Sequence, residues 1–422
     1  MEHIRLKMEY LNLQLRTYFR SYQNNFKKND PLDMIQFTKN QQSRMRIAIS
    51  LFFFSHGLIL SSWASRIPSI KNYFNISDAA LGTLLLLMPI GQISTMPMSA
   101  KIIQKYGSKK VVQFAFLLYP LILLIIGLST SYFQLTICLF LFGVAGNLCN
   151  IAVNTQGVEL ESMVNKPMMS SFHGAWSISG FAGALIAMLM LNLNLSTAIH
   201  FLVILLLILI IWGLNFSLLI TTSPSQKNKE KENGFIFKYL DKTLVQLGII
   251  GFLSMAIEGA MFDWSGVYFQ DIVGAPEQLI VLGYSSFVLM MAIGRFLGDS
   301  LMVRFGRKKI LQVSGILMSS GLILSVFLPN LVVCTLAFMM VGLGGSCSVP
   351  TVYGVAGRHN KIDTSTALTL LSTLSFFGFL IGPPVIGFIS DFFDLRYSFL
   401  LFSFFGFIMV IIASRSKILK EK

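Results

Sequence analysis

The sequence predicts an all-α membrane protein in which twelve membrane-spanning helices form two pseudo-symmetric bundles of six. Three observations support this prediction. Hydrophobic residues make up 54% of the 422 residues and charged residues only 12%, about half the share of roughly 25% that soluble proteins carry. Several stretches long enough to cross a bilayer lack any charged residue, and one sequence pattern recurs at a constant distance. This composition excludes a soluble globular protein, a disordered chain and a disulfide-stabilised scaffold.

Six of the spans come from three charge-free stretches, each long enough for two helices of about 20 apolar residues. These stretches lie between Lys110 and Glu159, between Lys166 and Lys227, and between Lys309 and Arg358. Polar residues predict a turn in each of them, at 129–131, 192–194 and 329–330. We expect single spans at about 46–65, 79–99, 243–266, 278–297, 364–389 and 396–414.

The distribution of basic residues predicts the orientation of the chain, because cytoplasmic loops carry an excess of Lys and Arg. With the N-terminus inside, 30 of the 33 basic residues fall on the inner side, and Arg66, Lys71 and Arg396 fall outside. Both termini are therefore expected in the cytoplasm. The net charge of +14 reflects this topology, and the chain has no aromatic-studded basic domain of the kind that binds nucleic acid.

Polar segments divide the chain into five predicted regions: an N-terminal extension, a first bundle, a linker, a second bundle and a tail, at residues 1–45, 46–220, 221–242, 243–415 and 416–422. Apolar residues recur at helical spacing over 4–22, as in a helix that lies on the inner leaflet. A leader without function is the alternative. The four cysteines lie inside predicted spans, and we expect them to be packing residues rather than metal ligands or disulfides.

The two bundles match at a constant offset of 199 residues. Residues 105–112 align with 304–311, and glycines of the fourth and fifth spans align with glycines of the tenth and eleventh, namely Gly143, Gly146 and Gly183 with Gly342, Gly345 and Gly382. Small residues permit close helix packing in lipid, so their recurrence indicates equivalent packing faces. A duplicated six-helix unit leaves a cavity between its copies near the middle of the membrane, which is the geometry of alternating access.

On these features, residues 46–415 resemble a transporter of the major facilitator superfamily. The chain resembles in particular the bacterial branch near the fucose-type sugar permeases, in five motifs: residues 63–68, 154–159, 171–173, 263–265 and 294–299. The resemblance implies a monomeric transporter of small solutes in a bacterial inner (plasma) membrane.

One part of the superfamily's loop signature is absent. Its carboxylate usually stands three residues before the loop glycine, whereas Asp299 stands seven before Gly306 and the first-half equivalent is Ala100. An ionic latch on the inner face would then be one-sided and would join Asp299 to Arg304 or Arg307. The alternative is that these basic residues only set the topology.

Few charged residues lie inside the predicted spans, where a charge is costly and usually functional. Glu258 lies in the seventh span, where a desolvated carboxyl group could bind and release a proton. A Glu that only joins helices is the alternative. Asp263 follows on the same span as a second candidate for proton coupling, and Arg66 closes the first span on the same side. Because the first and seventh spans approach each other in this superfamily, an Asp263–Arg66 pair could form an outer gate. Ordinary interfacial charges would give the same sequence.

Polar and aromatic residues inside the spans are candidates for solute binding. His56 lies near the membrane midplane, where an imidazole could contact a polyol, relay a proton or simply pack. Asn147, Asn150 and Asn154 have i, i+3, i+7 spacing and are expected on one face, where they would bind sugar hydroxyls or join helices. The indole of Trp63 could stack on a sugar ring, as could those of Trp176 and Trp264, although membrane Trp residues more often anchor at the interface.

Two further features indicate gates. His173 is expected at the inner mouth together with Gln156 and Glu159, where these residues would shape an inner gate rather than touch the solute. The sequence Gly382-Pro383-Pro384 is expected to break and kink the eleventh span, because proline removes a helical hydrogen bond.

The sequence lacks a phosphate-binding loop and a metalloenzyme motif, so we expect no enzyme activity, cofactor, metal ion or ATP drive. The energy must then come from an ion or solute gradient. We predict a proton-coupled secondary transporter that takes up a small polar solute such as a sugar. The alternative is a proton-antiport efflux pump for hydrophobic or cationic compounds. A third possibility, a sensor that transports nothing, is disfavoured by the short linker and the lack of an appended soluble domain.

Overall fold

The computed structural model describes residues 38–164, 168–221, 241–356, 364–416 and 419. Within these ranges the chain forms thirteen α-helices and no β-strand. They are α1 Lys39–Phe74, α2 Asp78–Tyr106, α3 Ser108–Leu128, α4 Tyr132–Val164, α5 Met169–Asn192, α6 Thr197–Asn215, α7 Lys242–Asp271, α8 Leu282–Phe305, α9 Arg307–Phe327, α10 Leu331–Ser346, α11 Ser348–Ala356, α12 Thr364–Phe392 and α13 Leu395–Arg415. Helices α10 and α11 form one span, so the described residues contain twelve candidate membrane spans, as predicted.

The predicted turns lie where the polar residues indicate, but several helices are longer than the predicted spans: α1 covers Lys39–Phe74 rather than about 46–65, and α8 ends at Phe305 rather than at about 297. The three expected turns separate α3 from α4, α5 from α6, and α9 from α10. Side chains at these turns accept hydrogen bonds from the first backbone N–H groups of the next helix: Ser196 caps α6 and Asn330 caps α10. Such caps satisfy donors that have no partner within the helix.

The sequence repeat corresponds to a repeat in backbone conformation. Gly107 joins α2 to α3 with φ 81° and ψ 149°, and Gly306, 199 residues later, joins α8 to α9 with φ 77° and ψ 154°. A positive φ of this kind is readily adopted only by glycine. The basic loop therefore has the same turn in both halves of the molecule.

Helix packing repeats at the same offset. A Cβ atom at Gly143 would lie 2.0 Å from the carbonyl oxygen of Met88, and one at Gly342 would lie 2.1 Å from that of Phe287. Both members of the first pair are related to those of the second by 199 residues. These glycines allow the backbones of α2 and α4, and of α8 and α10, to touch.

The end of each half is also fastened in the same way. The Lys109 Nζ atom donates to the Ser217 carbonyl at 3.0 Å, and Lys308, its equivalent, donates to the Ser414 carbonyl at 2.7 Å. These contacts hold the start of α3 against the end of α6, and the start of α9 against the end of α13. The predicted duplication into two pseudo-symmetric six-helix bundles is confirmed.

The most extensive contacts between the two halves are made by two pairs of helices, α2 with α12 and α5 with α8. A Cβ atom at Gly387 would lie 2.9 Å from the Gly82 Cα atom, and one at Gly180 would lie 3.0 Å from Val288 Cγ1. Helices α5 and α8 also line the cavity described below.

The expected break in the eleventh span is wrong. Helix α12 continues through Pro383 and Pro384. A proline inside a helix leaves the carbonyl four residues earlier without its helical donor, here the carbonyl of Phe379. That oxygen would lie 3.0 Å from a Cβ atom at Gly259 of α7, and the Pro383 carbonyl accepts a hydrogen bond from Trp264 Nε1 at 3.1 Å. The carbonyl that Pro383 leaves without a helical donor is therefore packed against α7, and a kink in this helix stays a prediction.

The cysteines lie inside the spans as predicted, whereas most of the polar segments are not described by the structure. All four cysteines are unpaired and buried, as expected of packing residues. The predicted helix over residues 4–22 and nearly all of the linker 221–242 lie outside the described residues.

Candidate functional site

The two ends of the bundle differ in how the halves meet. We call the end that carries Phe74, Asp78 and Asp271 the closed face, and the end that carries Gly107 and Gly306 the open face. This naming follows from the polar contacts and the cavity described next.

Polar side chains join the two halves at the closed face. The Lys71 Nζ atom lies 2.7 Å from an oxygen of Asp78 in its own half and 2.5 Å from an oxygen of Asp271 in the other half. The amides of Asn72 and Gln270 exchange two hydrogen bonds of 3.1 and 2.9 Å between the halves. Ser390 of the second half also donates to Asp78. Together these contacts seal the bundle at this end.

A cavity of about 460 Å³ lies between the halves. The first half contributes residues of α1, α4 and α5 to its wall, and the second half contributes residues of α8, α10 and α11. Its lining residues on α4, α5, α8 and α11 include four that are exposed, Asn150, His173, Phe296 and Pro350. Since these residues lie in the parts of their helices nearer the open face, the cavity opens towards that face.

A partly buried ion pair lies at the cavity wall. Arg295 Nη2 lies 3.1 Å from Glu258 Oε1. Each residue is thirteen positions from the closed-face end of its helix, α8 and α7 respectively, so both lie at a depth of about 20 Å. The Arg295 side chain is 33% exposed and lines the cavity, while the Glu258 side chain is 9% exposed and lies behind it. Glu258 is thus desolvated, as predicted, but it has a cationic partner.

Arg295 was missed as a candidate site residue. The eighth span was predicted to end at about residue 297. Arg295 was therefore counted among the inner-side basic residues that set the topology. Helix α8 continues to Phe305, so Arg295 lies well inside the helix. The signal available in the sequence was its position inside the apolar span, two residues before the predicted end.

The imidazole of His56 lines the cavity and has both nitrogens engaged. Trp176 Nε1 donates to His56 Nδ1 at 3.0 Å, and His56 Nε2 lies 3.2 Å from the Gly146 carbonyl oxygen. Because an indole only donates and a carbonyl only accepts, the imidazole is neutral with its proton on Nε2. His56 therefore presents its ring to the cavity while joining α1, α4 and α5.

The three asparagines of α4 do not share one environment. Asn147 is buried, and its Nδ2 donates to Thr95 Oγ1 at 3.3 Å and to Ser99 Oγ at 3.1 Å of α2. Asn150 lines the cavity, and Asn154 donates to the Asn150 side-chain oxygen at 2.8 Å. The expected row of three cavity amides is therefore wrong. Asn147 joins two helices, and Asn150 reaches the cavity.

Two of the three tryptophans that were predicted either to stack on the solute or to anchor at the interface do neither. Trp63 and Trp264 are buried inside the bundles. Trp63 packs against Phe142, with ring centroids 6.2 Å apart, and does not line the cavity. Trp176 is the tryptophan that does. Burial follows from the length of α1 and α7, which extend past these residues to Phe74 and Asp271.

The Arg66–Asp263 pair is absent from the structure. Arg66 is buried and donates from Nε to His200 Nδ1 at 3.2 Å and from Nη2 to the Leu195 carbonyl at 2.9 Å. Its guanidinium therefore points towards α6 of its own half. Asp263 is buried on α7, and no described residue forms an ion pair or hydrogen bond with it. Lys71 and Asp271 make the charged connection between α1 and α7 instead.

The residues predicted to form an inner gate divide into two groups. His173 lines the cavity. Gln156 instead lies in a buried network, in which its Nε2 atom donates to Ser108 Oγ at 2.6 Å and to the Ile220 carbonyl at 2.9 Å. Ser108 also donates to Glu159 at 2.7 Å. This network fastens the start of α3 to the chain after α6 and does not face the cavity.

The predicted ionic latch cannot be assigned to a contact. The side chain of Asp299 lies outside the described part of the structure. Arg304 lies over the ring of Phe305, 5.4 Å from its centroid, and Arg307 begins α9. A gating role for these three residues stays a prediction. The described residues contain no cluster of His, Cys, Asp and Glu that could hold a metal ion.

Comparisons with known proteins agree with this architecture. The family model described as Major Facilitator Superfamily matches residues 47–359 and 275–418. An uncharacterised MFS-type transporter of Yersinia pestis is 31% identical over 355 residues, which are 84% of this chain and 91% of that protein. Membrane protein MosC of Rhizobium meliloti is 29% identical over 344 residues, or 82% of this chain and 83% of MosC. The solved structure of the nucleoside transporter NupG is similar in fold, with a TM-score of 0.72 and 14% identity over 90% of this chain and 100% of that one.

Proposed function

Because this chain belongs to the major facilitator superfamily, and so is a multi-pass membrane transporter rather than an enzyme, we propose that it is a proton-coupled secondary transporter that takes up a small polar solute. The observation that carries the proposal is the Glu258–Arg295 ion pair at the wall of the cavity between the halves. A charge pair inside a membrane, here with a desolvated Glu258, is costly, which favours a role in coupling over a purely structural one.

The size and lining of the cavity support a small polar cargo such as a sugar. A volume of about 460 Å³ falls in the range typical of small-molecule sites. Asn150, Ser177 and Arg295 supply hydrogen-bonding groups, and Phe53 and Trp176 supply aromatic surface. Flat apolar rings combined with a few polar groups are suited to a solute that has both hydroxyl groups and a C–H face.

Glu258 is the group that we assign to proton coupling. It pairs with Arg295 where α7 meets α8. Helix α7 carries Asp271 of the closed-face contacts, and α8 lines the cavity. A proton that reaches Glu258 from one side removes the negative charge that holds Arg295. The pair therefore links the protonation state to the shape and charge of the cavity, as alternating access requires.

The open face corresponds to the cytoplasm in this proposal. The basic residues Lys109, Arg307 and Lys308 flank the open-face loops at Gly107 and Gly306, in agreement with the positive-inside rule. The structure would then be the state from which solute is released into the cell, with both termini on the cytoplasmic side of the inner membrane.

Efflux of cationic compounds is the less favoured alternative. Arg295 lines the cavity with a side chain that is 33% exposed, whereas Glu258, whose side chain is 9% exposed, is not among the lining residues. A cationic cargo would therefore meet a like charge first, which costs several kcal/mol when poorly solvated.

The experiment is uptake into proteoliposomes under an imposed pH gradient, with a panel of radiolabelled monosaccharides, polyols and sugar acids. Glu258→Gln should abolish gradient-driven accumulation and retain solute counterflow, because the binding cavity persists without the proton carrier. Asp394→Asn, which breaks an ion pair with Arg396 within one half, is the control and should accumulate solute normally. If Glu258→Gln concentrates solute as well as the wild type, Glu258 is not the proton carrier.

A further inference from the structure

The cavity wall has an asymmetry of charge. Of the two ion-paired side chains, the cation is 33% exposed and lines the cavity, whereas the anion is 9% exposed and does not. None of the lining residues that the structure describes is acidic. A solute that enters from the open face therefore meets the positive charge of Arg295, whose ion-pair partner among the described side chains, Glu258, is not part of the lining.

The other titratable side chains that the structure describes around the pair add no negative charge to the cavity wall. His173 of α5 lies close enough to Arg295 for an electrostatic interaction, and a protonated His173 would add positive charge. His56 of α1 is held neutral by its two hydrogen bonds. Cys347, between α10 and α11, contacts the Gly294 carbonyl through Sγ at 3.6 Å. On α8 itself, Asp299 follows one turn after Arg295, and its side chain lies outside the described part of the structure.

We propose that the solute is a small carboxylic acid bound as its anion by Arg295, and that protonation of Glu258 frees Arg295 to bind it. This inference rests on the proposed function and names its solute class. Guanidinium groups bind carboxylates through two parallel hydrogen bonds, which makes arginine the preferred ligand for such a solute. The polar and aromatic residues of the cavity then contact the remainder of the molecule, as in a sugar acid.

The charges balance in this arrangement. In the empty state the carboxylate of Glu258 neutralises Arg295. When Glu258 binds one proton, Arg295 loses its partner and its charge is neutralised by the carboxylate of the solute instead. Both the empty and the loaded pair are therefore neutral, so neither carries an unpaired charge through the low-dielectric interior. One proton moves with one monoanion, and the transport step carries no net charge.

The first test measures binding by isothermal titration calorimetry to the purified full-length protein. The probes are matched pairs that differ in the acid group: D-glucuronate with D-glucose, D-gluconate with D-sorbitol, and L-lactate with propane-1,2-diol. We expect binding of acids and not of their neutral partners. Affinity should rise by up to about tenfold for each unit of decrease in pH, the limit for one linked proton.

Three variants separate this mechanism from simple loss of folding. Glu258→Gln should bind the same acid at every pH as tightly as the wild type does at low pH, a gain that a misfolded protein would not give. Arg295→Gln should lose binding by at least tenfold. Arg396→Gln, which removes a guanidinium at the closed face, should bind like the wild type.

The second test measures accumulation in proteoliposomes under a pH gradient, with and without a membrane potential set by potassium and valinomycin. Accumulation of the acid should follow the pH gradient and be unchanged by the potential. Accumulation of a neutral partner that depends on Glu258 and on the potential would overturn the acid assignment and leave the proposed function intact. Acid binding without gradient-driven transport would overturn the proposed function instead. Failure of every acid to bind at any pH would also refute the inference.

Discussion

Substitution of Asp271 by asparagine tests whether the polar contacts at the closed face hold the transporter in its present state. The variant keeps the shape of the side chain and the Lys71–Asp78 pair, and it removes only the charge that joins the two halves. The Asp271 side chain is 32% exposed and that of Lys71 is 14% exposed. A charged hydrogen bond of this kind contributes up to about 2 kcal/mol when buried, and exposure reduces this to about 1 kcal/mol. We therefore expect the population open at the closed face to rise about fivefold.

The assay is double electron–electron resonance between spin labels at Tyr73 and Phe393, two exposed positions of opposite halves on the closed face, in a background that lacks the native cysteines. Asp271→Asn should add a longer distance to the distribution. Asp394→Asn is the matched control, because its partner Arg396 lies in the same half and on the same face. The reasoning would be refuted if Asp271→Asn left the distribution unchanged, or if the control shifted it equally.

Two further predictions concern packing and binding. Gly143→Ala places a methyl group 2.0 Å from the Met88 carbonyl oxygen, so the helices must separate. The free energy of unfolding in detergent should fall by about 1–3 kcal/mol. The control Gly213→Ala, whose added methyl group has no neighbouring atom within 4 Å, should leave the stability unchanged or raise it. Asn147→Ala should lower the melting temperature and spare solute affinity, because Asn147 joins α4 to α2, whereas Asn150→Ala should do the reverse. Equal loss of affinity in the two asparagine variants would contradict the assignment of Asn150 to the cavity.

The helices, their turns and the duplication were predictable because each depends on short-range chemistry. A charge-free stretch of sufficient length must be a span, and a polar cap such as Ser196 or Asn330 marks where a helix begins. The glycine turns at Gly107 and Gly306 need a positive φ that few other residues adopt. Each of these features depends on residues that are neighbours in the chain, so predicting it requires no knowledge of tertiary contacts.

The partners of charged residues were not predictable, because they depend on which faces of distant helices meet. Glu258 was identified as a buried carboxyl group, but its partner Arg295 is 37 residues away in the chain. Asn147 and Asn150 lie within one turn of each other, yet one is buried against α2 and the other faces the cavity. A helical face inferred from spacing is wide enough to include both environments, so spacing alone cannot separate them.

Positions that are 199 residues apart show which contacts the two halves share and which they do not. The packing glycines and the lysines that fasten the helix ends occur in both halves with the same contacts. The ion pair occurs once: Glu258 corresponds to Ile59 in the first half, and Arg295 corresponds to Met96. Two equally packed halves can rock against each other with little change within either half. On the proposed mechanism, in which Glu258 is the coupling group, the single ion pair then carries one proton in each cycle of this movement.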